Sequence, residues 1–126
     1  MGDDSRNVME IINSDSSKVS KLGYTMEQIT AKMQAITDSA KKGLGTWIKI
    51  DDKRQAVVVE AKGSLVCPWP HPGRYVKRIT TIERIDSGET IRWSDLNIHL
   101  IAEHSFFEGR GAAFRIEPKE LINVIF

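Results

Sequence analysis

The thiol and imidazole groups of this chain, one cysteine and three histidines, fall in two short clusters, Cys67-Pro-Trp-Pro-His71 and His99-Leu-Ile-Ala-Glu-His104. Thiolate and imidazole are the ligands zinc prefers; four of them close a tetrahedral site, whereas three leave a position for water. The expected metal ligands are therefore Cys67, His71, His99 and His104, with Glu103 as a substitute or outer partner should one histidine not reach.

Spacing sets conditions on that expectation. Were residues 94 to 104 helical, His99 and His104 would stand five positions apart, roughly 140° around the axis, where ligand pairs on one helix face want three or four. An early helix end would let His104 swing toward the same point. In a fully extended polyproline geometry Cys67 and His71 would be about 12 Å apart, so the loop must bend, and any of its three X-Pro bonds could supply the bend by going cis.

The same residues admit other readings. Free cysteine behaves as a small hydrophobe, so Cys67 after Leu65-Val66 fits a core as easily as a metal site, and His104 fits the C-terminal end of a helix, where a cation is favoured. A thiolate–imidazolium pair oriented by Glu103 or Asp95 would make a nucleophile, but Cys67 has no local signature for one. Trp69, held between prolines, together with Phe106 and Phe107 would wall an apolar pocket for a small molecule or a protein partner, with the histidines as polar anchors. Neither cluster matches a motif from which a function could be carried over.

Composition narrows the classes further. With 126 residues, 40% hydrophobic and 28% charged, one core is the expectation, and a formal charge of +1 gives no bulk attraction to nucleic acid or acidic lipid. Arg74, Lys77, Arg78, Arg84 and Arg92, interleaved with Tyr75 and Trp93, form a locally basic stretch. Glu83, Asp86 and Glu89 dilute it, so a solvated sheet face is preferred to a nucleic-acid platform. Apolar runs are too short to span a membrane. A lone cysteine forms no internal disulfide, and the opening Met1-Gly2-Asp3-Asp4 lacks the regions of a secretory signal, so a cytoplasmic location is expected.

The elements that must position these residues are readable in part. Residues 1 to 23 are polar apart from Val8–Ile12, enough for two helical turns, and predict a loosely held segment before a single domain over 24 to 126. Thr25-Met-Glu-Gln28 fits a capping box, followed by an apolar stripe of Met26, Ile29, Met33, Ile36 and Ala40. A hairpin follows, with arms around Trp47–Asp51 and Ala56–Ala61. After Gly63 and the proline loop come a long strand from Arg74 to Ile85, with Tyr75, Ile79 and Ile85 on one face, and a short strand around Thr90–Arg92. Ser94 caps a helix to about His104, with Leu96 and Leu100 on one side and Ile98 and Ile101 on another. Ala112–Ile116 reads as a last strand and Pro118 as the first residue of a terminal helix. Without regular strand–helix alternation this predicts an α+β fold, an antiparallel sheet of about four strands with helices packed on one face.

Overall fold

Capping chemistry sets the starts of the helices in the structure, a computed structural model describing residues 6–69, 73–109 and 111–126. Helix α1 (Val8–Lys21) is capped by Asn7, whose side chain accepts from the Glu10 amide at 2.9 Å. Helices α2 (Met26–Lys41) and α3 (Asp95–His104) each open on a complete capping box, Thr25 with Gln28 and Ser94 with Asn97. Pro118 is the first residue of α4 (Pro118–Ile125), where its missing N–H costs nothing.

Strands β1 (Ile48–Asp51), β2 (Arg54–Val66), β3 (Arg74–Arg84) and β4 (Thr90–Ser94) form an antiparallel meander in the order β1-β2-β3-β4. Arg54, Ala56 and Val58 of β2 share a face with their neighbours Thr80, Ile82 and Arg84 of β3, and the helices cover that face. Thr80 meets Thr37 of α2 at 2.7 Å between the hydroxyls, and the same Thr37 oxygen accepts from the fully buried indole of Trp93 at 2.9 Å. Arg54 and Arg84, directly opposed across β2 and β3, both donate to the last carbonyls of α4: Arg54 to Val124 and Phe126, Arg84 to Asn123. Cations at a helix C-terminus offset the helix dipole, and the sheet supplies them because the last turn of α4 has none. The fold is thus α+β with the helices on one face of a four-stranded antiparallel sheet.

Four local expectations need correcting. Helix α1 has four turns rather than two: Ile11, Asp15 and Val19 form one buried stripe, and the aspartate is accommodated there because Arg115 meets it in a bidentate pair. Ala112–Ile116 is not a strand; a turn around Gly111–Phe114 leads into irregular chain, fixed by the Ile116 amide donating to the Phe107 carbonyl and by the Arg115 side chain. Strand β2 does not stop before Gly63 but passes through it to Val66, taking up the extra residues in a register irregularity between Glu60 and Ser64. Strand β3 ends at Arg84 rather than Ile85, which lies beyond it and is exposed; the core face of the strand is that of Thr80 and Ile82.

Because β1 pairs only as far as Ala56 and β4 only with Ile79–Glu83, the outer half of the β2–β3 hairpin continues as a two-stranded ribbon. Its tip reaches α3, which lies between two cores. Ile98 and Ile101 join the main core with α2, α4 and the sheet; Leu100, with Leu96 beside it, joins a smaller core of Ile11, Cys67 and Phe106. The sequence predicts this two-sided helix, and the smaller core is what anchors the ribbon tip.

Candidate metal centre

Cys67 is the first residue past β2, so the strand itself delivers its sulfur to the C-terminal half of α3. The side chain is 4% exposed, and its Sγ lies 3.5 Å from Nε2 of His104. His99 stands across the same point: the two imidazole centroids are 5.3 Å apart with planes at 80°. One ligand atom from each of Cys67, His99 and His104 lies within 4.8 Å of the other two. The expected gathering of sulfur and imidazole is therefore present for these three. His71 lies outside the described residues. Glu103 is exposed and stands apart from the cluster.

The five-residue spacing on α3 does not separate the histidines, and the helix does not fray to unite them: it runs through His104 and ends at Ser105, in the left-handed conformation. Helical side chains lean back toward the N-terminus, so the last residue projects over the turn that His99 begins. Nor is a cis bond involved at Cys67–Pro68, since no cis peptide occurs among the described residues.

Aromatic rings fix both imidazoles. Trp69 stacks on His104 with centroids 4.1 Å apart and planes 9° apart, and meets Phe106 edge-on at 5.4 Å. Tyr75 stacks on His99 at 4.6 Å, and its hydroxyl is 2.8 Å from His99 Nδ1. Of the three residues expected to wall a pocket, Trp69 is half-buried beside His104, Phe106 fills the smaller core, and Phe107, with no exposure, packs in the main core. The two phenylalanines diverge rather than share a wall.

Sequence reasoning missed Tyr75 as a partner of the histidines, placing it on a strand face and among the aromatics of the basic stretch. What brings it to the site is register: Tyr75 pairs with Leu65, two residues before Cys67, so the hydroxyl and the thiol arrive from adjacent strands. The basic stretch resolves into separate contacts. Arg78 bridges Glu60 and Asp95, Arg92 lies over Phe114, and Trp93 is buried. Elsewhere in the fold, burial pushes the Glu108 carboxyl above its ordinary value. The Asp95 carboxyl is raised too, burial outweighing the attraction of Arg78 and Lys41.

No helix among the described residues is long and apolar enough to cross a membrane. Comparison of the chain with protein-family models, curated proteins and solved structures finds no match to any of them.

Proposed function

We propose that this chain is a small metal-binding domain in which a zinc ion joins the tip of the β2–β3 ribbon to α3. The observation that carries this reading is the convergence of Cys67, His99 and His104, whose ligand atoms lie within 4.8 Å of one another although the thiol and the histidines are more than thirty positions apart. In a tetrahedral zinc site with bonds of about 2.0–2.3 Å, ligand atoms sit roughly 3.5 Å apart. The Cys67–His104 pair already has that separation, and about 1 Å of adjustment closes the rest. His71, four residues after Cys67, is assigned the fourth position. A closed site of this kind stabilises a fold rather than turning over a substrate, and a lone thiolate ligand suits a reducing, cytoplasmic setting.

Metal analysis of protein purified without an affinity tag tests the reading. Near-stoichiometric zinc, lost in Cys67→Ala and reduced in His71→Ala, supports it. Absence of bound zinc, with thermal unfolding unchanged by zinc or by a chelator, overturns it.

The 3.5 Å contact between Cys67 and His104 also favours a second reading, a thiolate–imidazolium nucleophile. Rapid labelling of the metal-free folded protein by a thiol reagent near neutral pH supports that use, and protection of the buried thiol excludes it.

A further inference from the structure

We propose that Tyr75 is the positioning residue of this centre, selecting Nε2 of His99 as the coordinating nitrogen; the inference rests on the metal-binding reading above. An imidazole bound to a metal coordinates through one nitrogen and donates from the other, and the group that receives that second N–H fixes both tautomer and ring orientation. The Tyr75 hydroxyl stands 2.8 Å from His99 Nδ1. Accepting from Nδ1–H there, it directs the lone pair of Nε2 toward the metal. The phenol ring lies against the imidazole at 4.6 Å between centroids and 28° between planes, so rotation of His99 about its own axis is opposed by a flat surface as well as by the hydrogen bond.

The placement couples the two halves of the site. Tyr75 belongs to β3 and Cys67 follows β2, and the pairing of Leu65 with Tyr75 and of Val66 with Arg74 ties them within one ribbon end. A ribbon tip that lifts from α3 therefore withdraws the thiol and the His99 partner together. Trp69 stacks on His104, and Tyr75 acts on His99 through a directional bond as well as by stacking. The nitrogen choice is thus imposed at His99 from the neighbouring strand.

Tyr75→Phe removes the hydroxyl and keeps the ring. The full chain is titrated with cobalt(II), whose thiolate charge-transfer absorption reports Cys67, and with cadmium(II) after 15N labelling of histidine, where imidazole 15N shifts report which nitrogen binds. In the parent protein the His99 Nε2 resonance is expected to move on cadmium binding while Nδ1 stays protonated. In Tyr75→Phe, cobalt affinity is expected to fall by about tenfold to a hundredfold, with the thiolate band intact at saturation and the melting temperature of the metal-free protein little changed. Cadmium on Nδ1 of His99 in the parent protein, or unchanged cobalt affinity in Tyr75→Phe, overturns the role of Tyr75 while leaving the metal centre standing. No cobalt or cadmium binding by the parent protein overturns the metal reading itself.

Discussion

The indole of Trp69 lies almost parallel to the imidazole of His104, 9° from coplanar at 4.1 Å between centroids. The contact holds His104 in an orientation that points Nε2 at the Cys67 sulfur, 3.5 Å away. Trp69→Leu keeps apolar volume against Phe106 but removes the flat shelf. An aromatic pair contributes about 0.5–1.5 kcal/mol beyond its buried area, so zinc affinity is expected to fall roughly twofold to tenfold, measured by competition with a chromophoric chelator. Unchanged affinity would show that His104 is held without the indole.

Zinc itself is expected to stabilise the parent protein. At about a hundredfold excess over the dissociation constant, a ligand that binds only the folded state adds about 2.7 kcal/mol, or a rise in melting temperature on the order of 10 °C for a chain of this size. Scanning calorimetry with and without zinc measures it. His104→Ala should lose the increment, because the ribbon tip then meets α3 with one imidazole fewer.

In the main core, Thr37 receives the indole N–H of Trp93 and shares a hydrogen bond with Thr80. Thr37→Val keeps the shape and leaves Trp93 Nε1–H buried with no acceptor. A cost of about 1–3 kcal/mol is expected in urea unfolding, with the slope unchanged. Trp93→Phe in that background removes the stranded donor, and recovery of part of the loss would identify the unmet hydrogen bond as the cause.

Much of this architecture is legible in the sequence because the signals are local. Thr25, Ser94 and Pro118 start helices through chemistry confined to one turn, and the stripe from Ile29 to Ala40 announces its own buried face. The failures are places where a distant residue or the reach of a side chain decides. Asp15 interrupts an apolar stripe in α1 and hides it, because the compensating Arg115 is a hundred positions away. The clustering of Cys67, His99 and His104 is legible from residue type, but the mutual approach of the two histidines on one helix is not, since angular spacing ignores how far an imidazole reaches. Tyr75 carries no signal at all until the β2–β3 register is known.

The Asp15–Arg115 pair yields an asymmetric expectation. Burial works against the Arg115 charge, but hydrogen bonds to Asp15 and Glu117 outweigh it and hold its pKa above the ordinary value. Asp15→Ala leaves the guanidinium with Glu117 and the Glu108 carbonyl, for a cost of about 1–3 kcal/mol. Arg115→Ala leaves a fully buried carboxylate facing Lys18 at 4.0 Å and without its bidentate partner, and should cost about 3–5 kcal/mol. Hydrogen exchange should place the loosening in α1 for both variants, and equal costs would contradict the asymmetry.

Glu108 combines two unfavourable features that separate by pH. Burial raises its carboxyl pKa in the folded state above 4.5, so between that value and the raised one the folded protein binds more protons than the unfolded, and stability falls as pH rises through the window. Its backbone also sits at φ 68, a left-handed conformation unfavourable for a side chain of this kind. Glu108→Gln removes the charge alone: it should raise the urea midpoint at neutral pH, with the gain shrinking as the pH falls through the raised pKa and absent below about pH 4. Glu108→Gly removes both features, so it should retain about 1 kcal/mol of additional stability at every pH. A Glu108→Gln gain that persists undiminished in acid would mean that burial of the carboxylate is not what the folded state opposes.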